Sequence, residues 1–204
     1  MTATSFELFG TLVDADLPDD PAVAVGRELI DRGVDLPSDW ETAYDETHID
    51  PPAGAVVPLP AHVSAALASR GVDAPDNAPR RAVVAAFDPE VQTREGAQAA
   101  VAAAADRGPV AVLADAPAPE LARRTLIRSE IYRSLVDTTV STAACGWALS
   151  HDGAHETVAR RLDADRVCHV GRVAVDRAGA RDVRETSLLA LAQEWRGVTN
   201  GDGA

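Results

Sequence analysis

The sequence predicts an α/β fold, a parallel sheet core with an α-helical cap inserted after the first strand. Two observations predict it. Short apolar runs rich in β-branched residues alternate with helical patterns that close on glycine, the rhythm of strands joined by crossover helices. Between the first such run and the rest lies a Pro- and Asp-rich stretch of about 80 residues whose periodic segments are all helical, far longer than an ordinary loop.

The elements follow in order. Ser5 to Phe9 is the first strand, apolar at its end and followed at once by a glycine. In the insert, Pro21 to Arg32 reads as a helix stopped by Gly33. Ser38-Asp39-Trp40-Glu41 has the spacing of a capping box opening a second helix, Pro60 to Arg70 stops at Gly71, and Arg80 to Phe87 follows. The core then resumes. Arg94 to Arg107 is helical up to Gly108, Val110 to Leu113 is a strand, and a helix starts near Pro119 and runs through Leu126. Thr138 to Ser141 is a strand, Asp152 to Leu162 a helix feeding the strand Val167 to Val170, and Ala180 to Val183 a weaker strand before a last helix, Leu188 to Trp195. The core is thus assigned to residues 1–14 and 93–204 and the cap to 15–92, with 200–204 expected as a disordered tail.

Composition limits the function. The 204 residues suffice for one large domain, and 46% hydrophobic with 25% charged residues is a globular mixture. No stretch approaches the roughly 20 apolar residues of a membrane span. With 32 acidic against 19 basic residues the net charge is -13, a field that repels phosphate backbones and anionic lipid, so neither nucleic acid nor membrane is an expected partner. Every basic residue is Arg; there is no Lys. Spread along the whole chain, this acidity resembles that of salt-adapted archaeal proteins, where it maintains solubility. The two cysteines, Cys145 and Cys168, cannot form a disulfide framework, and the start MTATSFELFG has neither a basic region nor a long apolar one, so a cytoplasmic location is expected.

The chemistry-bearing segment is Ser5-Phe6-Glu7-Leu8-Phe9-Gly10-Thr11-Leu12. A strand followed directly by Gly-Thr-Leu presents backbone amides and the Thr11 hydroxyl at the C-terminal sheet edge, where open α/β sheets bind ligands. This segment, with Cys145-Gly146-Trp147 and Cys168-His169-Val170-Gly171 in order behind it, resembles the haloacid dehalogenase-like (HAD) hydrolase superfamily, whose core is Rossmann-like and carries an inserted helical cap. The resemblance spans essentially the whole core.

What the resemblance implies for the site has to be taken position by position. Where the family has its nucleophilic Asp, this chain has Glu7, about 1.5 Å longer in reach than in-line attack requires. Phe9 stands where many family phosphatases have an acid that protonates the leaving group. Ala114, followed by Asp115, replaces the family's Ser or Thr hydroxyl, and Leu149 replaces its charge-neutralising Lys. Arg172 and Val173 follow Gly171 where the family has acidic residues that complete a magnesium site, with Asp176 and Asp115 the acids able to restore ligands. A guanidinium beside Glu7 opposes a hard cation, so no cofactor and no metal are expected. Loss of hydroxyl, cation and metal ligands removes most of what accelerates phosphoryl transfer.

The expected function is therefore a degraded family member, a pseudoenzyme binding a small molecule or a protein at the cleft between cap and core. The alternative is a divergent hydrolase, of phosphatase or haloacid dehalogenase type, using Glu7. The sequence also raises an ion pair between Glu7 and Arg172 that fills the former metal pocket, against Arg172 in solvent with Glu7 on backbone amides.

Other residues carry weaker signals. His151 and His155 at i, i+4, with Cys145 and His169 nearby, have zinc-like spacing but read better as packing residues. Cys168 reads as a buried apolar residue. Asp14 and Asp16 read as linker, Arg123, Arg124 and Arg128 as the solvated face of a crossover helix, and Trp40 and Trp147 as packing residues.

Overall fold

In the computed structural model, which describes residues 1–75, 77–172, 180–183 and 186–199, a five-stranded parallel sheet forms the centre. Its strands are β1 (Thr2–Glu7), β4 (Val110–Ala114), β5 (Thr138–Ser141), β6 (Arg166–Gly171) and β7 (Arg181–Asp182), in the order β5-β4-β1-β6-β7. β1 lies between β4 and β6 because its residues up to Phe6 are apolar or small on both faces, and all but Thr2 are buried, Glu7 at its end included.

The two faces are covered differently. Phe6, Val110, Val112 and Val170 belong to one apolar cluster with α5 (Ala97–Ala105), α6 (Pro119–Arg128) and α9 (Leu188–Thr199). α5 is almost entirely alanine, which lets α9 approach closely; Trp195 of α9 meets Phe6 edge-on at 6.2 Å between ring centroids. The opposite face, carrying Ala3, Ala111, Leu113 and Val140, is covered by α8 (Asp152–Arg161) through Ala154 and Val158. The alternation of side chains along β1 therefore places Ser5 and Glu7 on the α8 side.

Between β1 and α5 the chain forms α1 (Pro21–Ile30), α2 (Trp40–Asp45), α3 (Leu59–Ser69) and α4 (Ala78–Ala86). These helices bury Val25, Leu29, Trp40, Val63 and Leu67 against one another, and Trp40 Nε1 donates to the Ala22 carbonyl at 2.8 Å. The chain leaves and re-enters the core through an antiparallel ribbon of β2 (Val13–Ala15) and β3 (Val91–Thr93), which sequence periodicity did not anticipate because each strand has only three residues. The helix α7 (Thr142–Cys145) and a short 3-10 turn, Arg133–Leu135, are likewise additions.

Three expectations need correction. The first strand ends at Glu7, not Phe9, because the N–H groups of Leu12 and Val13 both turn back to the Leu8 carbonyl. The capping box at Ser38 does not form: α2 starts after Asp39 with no side-chain cap, and the Asp39 carboxylate is held instead by Arg70 at 2.9 Å. α5 starts at Ala97 rather than Arg94, since Gly96 precedes it in the left-handed region and Arg94 is spent on the Gly10 carbonyl and Asp14. The expected tail at 200–204 lies outside the described residues.

Candidate functional site

Five residues after β1 build the sheet-edge turn. Gly10 adopts φ 73°, a conformation costly for a residue with a side chain, and its N–H bonds the Val13 carbonyl at 2.6 Å. This turn brings the Thr11 hydroxyl back over the strand end, where it donates to Glu7 Oε2 at 3.3 Å. The same oxygen accepts the peptide N–H of Arg172 at 2.6 Å. Glu7 is only 6% exposed, and its Oε2 is held by the peptide that follows β6 and by one hydroxyl.

The expected ion pair is not formed. The Arg172 guanidinium lies across Gly10 instead, so close that a Cβ built on that glycine would fall 2.0 Å from Arg172 Cζ. The structure follows the other arrangement in outline: Arg172 is exposed and Glu7 takes a backbone amide, but from Arg172 rather than from Gly10 or Thr11. The physical reason is register. Gly171 continues β6 level with Glu7, so the next peptide N–H points at the carboxylate while the side chain leaves over the turn.

The remaining positions follow. Phe9 is half-buried against the main apolar cluster. Ala114 ends β4, fully buried, with Ser141 of β5 as its register partner. Asp115 is exposed and its Oδ1 accepts the Thr142 hydroxyl at 2.9 Å; Thr142 Oγ1 in turn accepts the Ala116 N–H at 3.2 Å, so Asp115 is committed to the β5–α7 junction. Leu149 is buried in the α8-side cluster. Val173 and Asp176 lie outside the described residues.

In the sequence His169 belongs to a strand motif and a zinc-like spacing, which neither pair it with Ser5 nor place it beside Glu7. Ser5 and His169 are register partners on β1 and β6, and Ser5 Oγ meets His169 Nδ1 at 2.9 Å. The edge of His155 on α8 packs against the His169 ring at 4.7 Å, while His155 Nε2 pairs with the Leu149 carbonyl at 3.0 Å. A Cβ on Gly171 would lie 2.7 Å from His169 Nε2 and 2.8 Å from Glu7 Oε2, so both groups border the space that this glycine leaves open. The signal was available as period two: Ser5 and Glu7 on one strand, His169 and Gly171 on the next.

The zinc-like spacing does not produce a site. His151 Nδ1 caps α8 by accepting the Gly153 N–H at 3.0 Å, and its ring stacks on Trp147 at 4.3 Å. Cys145 Sγ turns to the Thr142 and Trp147 carbonyls, and Cys168 is half-buried on β6, where burial pushes its thiol pKa up. Among the described residues no group of three or more His, Cys, Asp or Glu could hold a metal. Nor do those at the sheet edge fit magnesium: Glu7 Oε2 is taken by two donors, Asp115 faces Thr142, and a guanidinium lies on Gly10.

Above this edge the segment at 54–56 is stitched to the Cys-Gly-Trp segment. The Val56 N–H donates to the Gly146 carbonyl and the Ala148 N–H to that of Gly54, both at 2.9 Å. A cavity of about 670 Å³ lies elsewhere between insert and core, walled by α4 and α6.

No family model matches the chain, and no curated protein matches it. Solved structures do. The 2-haloacid dehalogenase from Pseudomonas syringae pv. Tomato aligns over 98% of this chain and 99% of its own, with a TM-score of 0.54 and 14% identity. An L-2-haloacid dehalogenase aligns over 96% and 99%, with a TM-score of 0.50 and 16% identity. The chain has the fold of these haloacid dehalogenases, and at such identity the likeness is one of fold.

Proposed function

We propose that this protein keeps the haloacid dehalogenase scaffold without its hydrolytic chemistry, and binds a small molecule or protein between its helical cap and its core. The observation that carries the reading is the state of Glu7. A nucleophile or base must present a lone pair to the substrate; here the carboxylate is buried and Oε2 takes two donors, the Arg172 peptide and Thr11, which leaves only Oε1 for a substrate. Around it, Ala114 and Leu149 supply neither a hydroxyl nor a cation to stabilise developing charge, a deficit of about 3 kcal/mol for each missing donor. This reading includes a metal-free site, salt adaptation of the acidic surface, and a cytoplasmic setting.

A second reading is favoured by one observation, the shared border of Glu7 and His169 at Gly171. It makes Glu7 the base of a divergent hydrolase, with His169 and Ser5 positioning it. One experiment separates the two: phosphatase and 2-haloacid assays in molar salt with magnesium, on the natural chain and on Glu7→Gln. No turnover by either supports the binding reading. Turnover that Glu7→Gln abolishes defeats it.

A further inference from the structure

Among the described residues four arginines line the cavity of about 670 Å³: Arg32 after α1, Arg80 and Arg81 on α4, and Arg124 on α6. Among the described residues two carboxylates share its wall, Glu120 and Asp88, and a third, Glu28, pairs with Arg32 at 2.5 Å, so acids and arginines alternate around it. The carboxylates hold the frame. Glu120 pairs with Arg80 at 2.5 Å across the insert and core, and Asp88 pairs with Arg124 at 3.4 Å and Arg128 at 2.6 Å. Arg32, Arg80 and Arg124 are thereby held in place by carboxylates, and of the four only Arg81 makes no ion pair with a described residue.

A second observation concerns hydrogen bonding. Arg32 Nε, Asp88 Oδ1 and Glu120 Oε2 are buried without a hydrogen-bond partner among the described residues, and all three residues wall this one cavity. Buried polar atoms are rarely left so, and three around one cavity call for a partner outside the chain. Two of them are acceptors, which an anion alone would repel. A ligand satisfying the whole wall carries a phosphate or carboxylate for the arginines and hydroxyl donors for the carboxylate oxygens.

We infer that the α4–α6 groove is a binding site for a small hydroxylated organic anion of the polyol phosphate class. This rests on the non-catalytic reading only in giving the cap–core cleft its ligand. The volume lies within the range of small-molecule pockets, and Glu7, Gly10 and Arg172 are not in its wall.

The test is calorimetric titration of the full chain, at low and at molar potassium chloride, with glycerol 3-phosphate, inorganic phosphate and glycerol as probes. Glycerol 3-phosphate is expected to bind saturably, phosphate more weakly, and glycerol not at all. Arg81→Gln, at an exposed position that does not threaten folding, should weaken binding about tenfold, as should Asp88→Asn with its donor contact altered. Arg133→Gln, outside the groove, should leave it unchanged. Absence of saturable binding at low salt, or affinity indifferent to both Arg81→Gln and Asp88→Asn, overturns the proposal. Turnover lost in Glu7→Gln defeats the non-catalytic reading instead, so the two failures are distinguishable.

Discussion

Glu7 Oε2 closes on the peptide N–H of Arg172 at 2.6 Å, joining residues 165 positions apart across the register of β1 and β6. Arg172, one of the side-chain partners the sequence raised for Glu7, meets it through its peptide N–H and leaves its charge unneutralised. A carboxylate accepting a peptide N–H at a buried strand end is a structural clamp, and its removal acts on stability first.

Glu7→Asp should therefore destabilise the protein. Shortening the side chain by one methylene withdraws the oxygen from the Arg172 N–H and leaves that donor unsatisfied, at a cost of about 1–3 kcal/mol. Urea denaturation in molar salt reads the loss. A variant as stable as the natural chain would show that the clamp contributes nothing.

Gly171→Ala should disrupt the same point. The added methyl would meet His169 Nε2 and Glu7 Oε2 at under 3 Å, and His169 is pinned by Ser5 and His155, so the neighbours have little room to yield. The expected loss is about 1–3 kcal/mol with a lowered melting temperature. Gly171→Ala combined with Glu7→Ala should recover part of the strain, which a double-mutant cycle measures.

Ser5→Ala should free His169 Nδ1 inside the sheet. The methyl fills the space of the hydroxyl but offers no partner, so a cost of about 1–3 kcal/mol is expected, with a change in the His169 ring nitrogen shifts by NMR. Unchanged shifts would mean that another group already satisfies the ring.

At the surface of the insert, Arg70 grips Glu46 at 2.7–2.8 Å and Asp39 at 2.9 Å. Hydrogen bonding to the Arg70 guanidinium holds the Glu46 carboxyl below its ordinary value of 4.5. A lowered folded value means that the stabilisation is complete above pH 4.5 and is lost as pH falls through the folded value. An NMR titration of Glu46 should show a midpoint below 4.5, and Arg70→Gln should return it there.

How much of this was legible beforehand varies with the range of the interaction. The strands at Val110, Thr138 and Val167 and the helices at Pro21, Pro119 and Asp152 carry their own periodicity and stop signals, so local pattern located them. The three-residue β2 and β3 have no pattern of their own and exist only because the chain must leave and re-enter the core side by side. Cap chemistry misled at Ser38 because Arg70, distant in sequence, claims the Asp39 carboxylate.

For the site, the sequence by itself determined which groups are present: a carboxylate at the first strand's end, no lysine, and apolar residues at Ala114 and Leu149. Side-chain identity is a property of the chain, and it limits the available chemistry before folding. Only the tertiary structure decided which groups meet. Parallel register puts the Arg172 peptide rather than its guanidinium on Glu7 and brings Ser5 to His169, and helix docking gathers arginines from α4, α6 and the end of α1 around one groove. Those pairings depend on strand alignment and helix docking over long sequence separations, which no local pattern encodes.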